Sequence, residues 1–295
     1  MNVISIDIGG TYIKSAIVSQ CDIKAKQIRP TPTKDRLELL HVIDTIIEEY
    51  QALEVISCIG FSVPGSVDES GTVSFGGAVE SLNGLSLKRY ISEKYQVTVK
   101  VENDAKAATI GEFSKGNLKG VNNGVAIILG TGVGVGLLLD GKIRKGPHFQ
   151  AGEVSFLIQD KKITGPESFV GLNLSAVRLV HRLSEELSVE ADGKLVFEIF
   201  KQTDQSLTKE IFKDYCTGIA VLCFNLQCLL DIEKIVIGGG ISQQTILIKG
   251  IKDAYQEIFL ASTLIEKTIA QVTIDIAKFQ ADANLIGAVE GIEYE

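Results

Sequence analysis

Branched apolar residues near the start of the chain fall into two short runs separated by glycines. The runs are VISIDI and YIKSAIV, and the sequence between them is Gly-Gly-Thr. Short runs rich in Val and Ile, bounded by glycine, are typical of β-strands that pair as a hairpin. The pattern therefore predicts a hairpin whose tight turn presents backbone N–H groups beside the carboxylate of Asp7.

Segments with helical spacing alternate with further strand-like runs. LELLHVIDTIIEEYQAL, LKRYISEKY and AKAATIGEFSKG predict helices, whereas CDIKAKQIRP, VISCIGFSVPG and VTVKVEN predict strands. Residues 166–230 are predicted to be mainly helical. EKIVIGGGIS and QVTIDIAKF predict late strands, and DANLIGAVEGIEY predicts a closing helix. Such alternation favours an α/β architecture.

The segment GVAIILGTGVGVGLLLDGKIRKG repeats the order of the opening segment. Both contain an apolar strand, a Gly/Thr turn, a second apolar strand, a polar turn and a third short strand. The matching polar turn of the first copy lies near Gln20–Asp22. Two explanations stay open, namely two domains with related cores or a chance recurrence of a β-meander. The polar stretch KGNLKGVNNG favours a domain boundary near Lys115–Val121.

Composition restricts the classes of function. The net charge of −8 argues against a general nucleic-acid surface. No apolar run approaches the length of a membrane span, and no basic leader precedes the first strand, so we expect a cytoplasmic protein without membrane contact. The five cysteines form no CxxC pair and fit reduced thiols. Cys216, Cys223 and Cys228 follow an apolar helical pattern and are predicted to be buried.

Three glycine turns follow strand-like runs. They are Gly9-Gly10-Thr11, Gly130-Thr131-Gly132 and Gly238-Gly239-Gly240. Glycine lets a phosphate approach the backbone, and successive amides form an anion-binding concavity. A single glycine turn is more often structural than ligand-binding, and neither a P-loop nor a Rossmann fingerprint is present. A carboxylate beside a polyphosphate needs a cation, so Asp7 predicts Mg²⁺ held through water, with turn capping as the alternative.

Four motifs, in this order, resemble the ROK family of sugar kinases (repressors, open reading frames and kinases) within the actin-like ATPase superfamily. DIGGTYIKSAIV resembles the first phosphate motif, VENDAKAATIGE the segment with the catalytic aspartate, ILGTGVGVGLLLDGKI the second phosphate motif and IVIGGGIS the adenosine motif. The resemblance spans essentially the whole chain. It implies ATP bound by the three glycine turns and Lys14, and frequently a homodimer. It also implies two ribonuclease-H-like domains with an interdomain cleft, formed by residues 1–117 with 283–295 and by residues 118–282.

Asn103 and Asp104 fall where a strand gives way to a helix. Helix N-capping alone explains Asn or Asp at such a place. The resemblance implies that Asp104 accepts the proton of the attacking sugar hydroxyl and that Asn103 helps to hold the sugar, which is compatible with capping. It further implies sugar contacts from Asn83 and Glu153. Glu167 matches another sugar-binding glutamate, with a solvated loop acid as the alternative.

Ser155 and Phe156 depart from the family pattern, because they stand where Gly and His are usual. That histidine is commonly both a sugar contact and a zinc ligand. The family's Cys-rich zinc loop is here IQDKKITGPESFVGLNLSA, without cysteine, so we expect no structural zinc. An apolar Phe156 near the anomeric side of the sugar suits an aglycone or a second ring. The resulting expectation is an ATP-dependent kinase for the 6-hydroxyl of a β-glucoside such as cellobiose.

Three other functions stay open. The first is a glucokinase or another hexose or N-acetylhexosamine kinase. The second is a sugar-sensing regulator of the same family, which the acidic charge disfavours and which would need a DNA-binding module before Val3. The third is an actin-like filament or chaperone ATPase, against which the combination of Asn103, Asp104 and Glu153 argues.

Overall fold

The structure is a computed structural model that describes residues 2–19 and 22–292. The predicted polar turn near Gln20–Asp22 and Cys21 therefore lie at or outside the limits of the described residues. The strands, in chain order, are β1 (Val3–Ile8), β2 (Tyr12–Ser19), β3 (Asp22–Pro30), β4 (Cys58–Val63), β5 (Ser66–Val67), β6 (Val73–Ser74), β7 (Thr98–Asn103), β8 (Gly124–Leu129), β9 (Val133–Leu139), β10 (Lys142–Ile143), β11 (Lys234–Gly238) and β12 (Thr273–Ile276). The α-helices are α1 (Arg36–Leu53), α2 (Leu87–Tyr95), α3 (Asp104–Lys115), α4 (Val170–Asn173), α5 (Ala176–Leu187), α6 (Gly193–Phe200), α7 (Ser206–Leu230), α8 (Thr245–Leu260), α9 (Thr263–Thr268) and α10 (Ala283–Val289).

The chain divides into two compact units. The first unit comprises Met1–Lys119, Ile143–Ala151 and Asp282–Glu295, and the second comprises Gly120–Lys142 and Gly152–Ala281. Ile143–Ala151 belongs to the first unit, whereas the sequence predicts this segment in the second domain.

Two polar contacts explain why this segment belongs to the first unit. Lys145 forms an ion pair of 2.6 Å with Glu102 at the end of β7. Lys106 Nζ on α3 donates to the backbone oxygen of Phe149 at 3.3 Å. Both partners are far away in sequence, so the segment's composition did not reveal the attachment.

Each unit contains a five-stranded sheet with the same internal order. The order is β3-β2-β1-β4-β7 in the first unit and β10-β9-β8-β11-β12 in the second. The opening hairpin is antiparallel in both, whereas the pairs β1–β4, β4–β7, β8–β11 and β11–β12 are parallel. The repeated strand pattern therefore reflects two related domains rather than a chance meander, and the α/β fold class is confirmed.

Burial follows from the strand sequences. Every residue of β1 and of β4 is buried, as is usual for central strands covered on both faces. The core of the second unit is built around α7, whose buried residues include Cys216 and Cys223. Cys228, however, is exposed, so its predicted burial is wrong. It lies next to the buried Gln227 but outside the stripe of residues that faces the core.

The helix ends near the predicted site are well defined. The predicted helix AKAATIGEFSKG is confirmed as α3, with Gly116 as its C-terminal cap. The closing helix α10 is shorter than predicted and packs in the first unit, where Ser5 Oγ donates to Leu285 O at 2.7 Å. In the described ranges, no helix is both long enough and apolar enough to cross a bilayer.

Candidate active site

Asp7 lies near the end of β1, opposite Lys14 on β2. Its Oδ1 atom accepts hydrogen bonds from Ser62 Oγ at 2.8 Å and from Asn284 Nδ2 at 3.0 Å. Lys14 Nζ lies 3.6 Å from Asp7 Oδ2, and Asp7 is only 5% exposed. The carboxylate is therefore held in one orientation beside the turn formed by residues 9–11.

These contacts determine how the residues fit a Mg²⁺ ion. One oxygen of Asp7 already accepts two hydrogen bonds, and among the described residues no group of three or more His, Cys, Asp or Glu side chains could hold a metal ion. In nucleotide sites Mg²⁺ keeps several waters and binds one or two carboxylates together with phosphate oxygens. The site thus fits an ion that Asp7 contacts through water. The expectation that zinc is absent stays a prediction.

The turn between β1 and β2 is the predicted hairpin turn. Gly9 N donates to Tyr12 O at 3.0 Å, and Thr31 Oγ1 donates to Gly9 O at 2.7 Å. Thr31 N donates to Thr11 O at 3.0 Å, so the residue that follows β3 holds the turn through two hydrogen bonds. Gly10 and Thr11 are exposed at the tip.

Asn103 caps α3 and also orients Asp104. Asn103 Oδ1 accepts from Lys106 N at 3.1 Å, which confirms the capping alternative for this residue. Its Nδ2 atom donates to Asp104 Oδ1 at 2.9 Å and to Gly65 O at 3.0 Å. Asp104 Oδ1 also accepts from Ala105 N at 2.7 Å. The carboxylate of Asp104 is therefore fixed at the N-terminus of α3, where the helix dipole favours a negative charge.

One short loop, Phe75–Ala78, contacts both the first phosphate turn and the support of Asp104. A Cβ atom built on Gly65 would lie 2.1 Å from Phe75 O, and one built on Gly10 would lie 3.1 Å from the Cβ of Ala78. The loop is held by Asn83, whose Oδ1 accepts from Gly76 N at 2.6 Å. Asn83 is exposed, and in this structure it anchors the loop.

Two charged residues of β7, Lys100 and Glu102, form polar contacts just before Asn103 that the sequence analysis missed. Glu102 is 2% exposed, pairs with Lys145 and accepts from Asn103 N at 3.1 Å. Lys100 Nζ donates to Glu290 O at 2.5 Å, and burial lowers the pKa of Lys100. Lys100 and Glu102, two charges at alternate positions of a mostly buried strand, were the signal that could have revealed these contacts.

The second unit carries the other two glycine turns, and their glycines differ in role. Gly239 has a φ of +92°, and a Cβ atom there would lie 2.1 Å from Leu129 O, so this turn requires glycine for its backbone. A Cβ atom on Gly130 or Gly240 would meet no atom within 4 Å. At Gly238 it would lie 2.9 Å from Ile128 Cδ1. Gly130 and Gly240 are thus the positions where the absence of a side chain leaves space for a ligand.

Ser155 attaches the segment of Glu153 to the second phosphate turn. Its hydroxyl donates to Val133 O at 3.0 Å, accepts from Val133 N at 3.2 Å and lies 3.2 Å from a Cβ atom built on Gly132. Thr131 is exposed in the same turn. Glu153 is half-buried, and its carboxylate has no hydrogen-bond partner in the part of the chain that the structure describes. Ser155, noted in the sequence only as a departure from a family pattern, therefore has a positioning role.

The segment that replaces the zinc loop is closed by hydrogen bonds. Ser168 is fully buried, and its hydroxyl accepts from Thr164 N at 3.1 Å and donates to Lys162 O at 3.3 Å. Gln159 N donates to Ser168 O at 2.8 Å. Glu167 is exposed, and its Oε2 atom would lie 2.8 Å from a Cβ atom on Gly165.

The predicted site residues thus fall into two groups, one on each unit. On the first unit, one loop links the first phosphate turn to the support of Asp104. On the second unit, the two glycine turns lie at the ends of the neighbouring strands β8 and β11, and the Glu153 segment is attached to β9.

The similarity to known proteins extends over nearly the whole of this chain. A β-glucoside kinase of Listeria monocytogenes serovar 1/2a is 26% identical over 296 residues, which cover 98% of this chain and 96% of that protein. An N-acetylmannosamine kinase of Haemophilus influenzae strain 86-028NP is 28% identical, with coverage of 98% and 94%. The crystal structure of a ROK family protein from Streptococcus pneumoniae TIGR4 in complex with sucrose has a TM-score of 0.80 and 28% identity, and the match covers 98% of this chain and 96% of that one. The model of the ROK family matches residues 3–291. The chain therefore belongs to the ROK family, as its four motifs predict.

Proposed function

We propose that this chain is an ATP-dependent carbohydrate kinase that transfers the γ-phosphoryl group to a sugar hydroxyl. The observation that carries the proposal is the cap in which Asn103 and the backbone of α3 hold the carboxylate of Asp104. A purely structural cap requires only the side chain of Asn103. A carboxylate on the next residue, oriented by two donors and only half-buried, is what a general base requires.

Asp104 acts as the base of the reaction. As the sugar oxygen forms its bond to the γ-phosphorus and the bond from phosphorus to the β,γ-bridging oxygen breaks, the hydroxyl proton passes to the carboxylate of Asp104. ADP leaves with the bridging oxygen. Phosphoryl transfer depends mainly on alignment and charge stabilisation, so a fixed carboxylate serves it better than a mobile one.

The glycine turns bind the nucleotide. On the first unit, the amides of residues 9–11 receive phosphate oxygens, and Lys14 and Asp7 lie behind this turn. On the second unit, the amides of residues 130–132 receive phosphate oxygens, and the open space at Gly240 receives the adenosine. Asp7 is the residue that would hold a Mg²⁺ ion, through water, and the ion would supply positive charge to neutralise the phosphates.

The proposed acceptor is a β-glucoside such as cellobiose, phosphorylated on its 6-hydroxyl. The similarity to a β-glucoside kinase supports this choice, as does Phe156, which is 66% exposed and can contact a second ring. Glu153 and Glu167 bind sugar hydroxyls as acceptors. The similarity to an N-acetylmannosamine kinase supports a second candidate, an N-acetylhexosamine kinase.

A substrate panel tests the proposal. Purified protein is assayed with ATP and Mg²⁺ for ADP release and for a phosphorylated product by mass spectrometry. The sugars are glucose, N-acetylmannosamine, fructose, allose, cellobiose and salicin. We expect the highest kcat/KM with cellobiose or salicin. The highest value with N-acetylmannosamine would favour the second candidate, and binding without turnover of any sugar would favour a regulator.

A further inference from the structure

Phe75 is exposed and has a backbone conformation that is rare for its residue type. Its side chain is 76% exposed, and its φ is +61°. Few residues other than glycine, Asn and Asp adopt a positive φ, and an aromatic residue there is an outlier. Neither feature serves packing, because the ring covers little of the core. Such outliers concentrate at functional sites, where the surrounding structure maintains them.

The residues around Phe75 hold this conformation in place. Asn83 accepts from Gly76 N, immediately after Phe75. Asn83 is in turn fixed through its backbone oxygen by Arg36 Nη2, and Arg36 Nε donates to Ser81 O at 3.2 Å. Ser81 Oγ donates to Pro32 O at 2.9 Å. The loop is therefore anchored to the beginning of α1 and to the segment before it, while the ring of Phe75 stays in solvent.

The position of the loop links Phe75 to the proposed chemistry. Its backbone oxygen contacts Gly65, and Gly65 O accepts from the amide that orients Asp104. At the other end of the loop, Ala78 contacts Gly10 of the first phosphate turn. Phe75 thus lies on a loop that joins the support of the proposed base to a turn that binds phosphate.

The chemistry of the loop selects the class of ligand. The sequence from Ser74 to Asn83, SFGGAVESLN, contains no Lys or Arg, and the neighbouring guanidinium of Arg36 already donates to the backbone oxygens of Ser81 and Asn83. The loop therefore offers a phosphate group no side-chain cation of its own. Gly77 has open space around it and adds neither charge nor bulk. Binding sites for small molecules combine aromatic surfaces with a few polar groups. A neutral pyranose ring, which has an apolar C–H face and polar hydroxyl edges, fits this combination.

From these observations we infer that Phe75 is a platform on which the pyranose ring of the acceptor sugar stacks. The inference rests on the proposed kinase function and adds a specificity residue on the first unit that the motifs do not mark. The strained backbone directs the ring into solvent, and the anchored loop keeps it there before the sugar binds. Preorganisation of this kind lowers the free-energy cost of binding.

Two variants at Phe75 separate the ring from the backbone. Phe75→Asn removes the ring but retains a residue that tolerates a positive φ, whereas Phe75→Tyr retains the ring. We expect Phe75→Asn to raise both the KM and the Kd for the best sugar about five- to tenfold, through the loss of apolar contact. The KM for ATP and the thermal unfolding midpoint should stay at wild-type values. Phe75→Tyr should keep the sugar Kd within about twofold of wild type.

Calorimetric titration of each variant with sugar measures the sugar Kd directly, so the result does not depend on turnover. An unchanged sugar Kd in Phe75→Asn would contradict a stacking role of Phe75. A rise in the KM for ATP equal to the rise in the KM for sugar would contradict it as well. Wild-type protein that binds a sugar without phosphorylating it would contradict the proposed function, while the comparison of Kd values would still decide the role of Phe75. Wild-type protein that binds no sugar of the panel would overturn both.

Discussion

Asn103 Nδ2 lies 2.9 Å from Asp104 Oδ1 and donates a hydrogen bond to it. The other end of the same amide, Oδ1, caps α3 by accepting from Lys106 N. One side chain therefore both begins the helix and orients the carboxylate that follows it. This double role explains why Asn is better suited than other capping residues here, since Ser, Thr and Asp can accept at the cap but offer no amide donor.

Asn103→Asp separates capping from orientation. The variant keeps an oxygen that can accept from Lys106 N, so the cap of α3 is retained, although a buried carboxylate facing Gly65 O and Asp104 lowers the unfolding free energy. It loses the amide donor and places a second negative charge beside Asp104, so kcat should fall about tenfold or more. Thermal unfolding and steady-state kinetics provide the measurements. Asn103→Ala is the control, and it should lose about 1 kcal/mol of stability as well as activity. A wild-type kcat in Asn103→Asp would show that the amide does not orient the base.

The glycines of the third turn offer a matched pair of substitutions. Gly239→Ala introduces a Cβ atom 2.1 Å from Leu129 O at a positive φ, so we expect a lower unfolding midpoint and poor expression. Gly240→Ala meets no protein atom within 4 Å and should fold normally. If the adenosine occupies that space, Gly240→Ala raises the KM for ATP and leaves the KM for sugar unchanged. Identical ATP kinetics in Gly240→Ala and wild type would place the nucleotide elsewhere.

Asp7→Asn tests the magnesium contact. The amide oxygen can still accept from Ser62, so the local hydrogen bonding is largely kept while the charge is lost. We expect a higher Mg²⁺ concentration for half-maximal activity and a lower kcat, because the variant holds the hydration shell of the ion less well. The sugar Kd serves as the control and should not change. A Mg²⁺ titration that superimposes on that of wild type would contradict a role of Asp7 toward the ion.

Ser168→Ala tests the hydrogen-bonded loop that stands in place of a zinc loop. Loss of the hydroxyl leaves Thr164 N and Lys162 O without this partner; both residues are exposed, so each lost hydrogen bond should cost about 0.5–1.5 kcal/mol. We expect a lower unfolding midpoint and faster tryptic cleavage after Lys161 or Lys162. Treatment of the wild type with EDTA should leave its midpoint unchanged. A drop in the midpoint with EDTA, or stoichiometric zinc in the purified protein, would contradict a metal-free loop.

Local features of the fold were predictable because they depend on neighbouring residues. The hairpin around Gly9 and Gly10, and the helix that begins after Asn103, follow from strand propensity, turn residues and a capping side chain. The assignment of residues 143–151 did not follow, because it depends on the pairing of Lys145 with Glu102 across the sequence. The exposure of Cys228 was missed for a similar reason, since the apolar composition of α7 does not say where the buried stripe ends.

The sequence predicted the motifs of the candidate site, but not the residues that hold the site residues in place. The motifs identified the family, which the match over residues 3–291 confirms. The partners of Asp7, namely Ser62 and Asn284, lie in segments without any motif. Phe75 was missed because a backbone torsion and an exposed ring leave no pattern in the sequence. The individual roles of the site residues stay predictions. The homodimer also stays a prediction, and analytical ultracentrifugation of the purified protein can test it.

The kcat of Asp104→Asn with the best sugar tests the central claim most directly. Loss of a general base typically costs about 10²–10⁴ in rate, so kcat should fall by at least the lower figure. The unfolding midpoint and the Kd for a non-hydrolysable ATP analogue should stay close to the wild-type values, because the amide oxygen of the variant can still accept from Ala105 N. A kcat within a few-fold of wild type would contradict the assignment of Asp104 as the base.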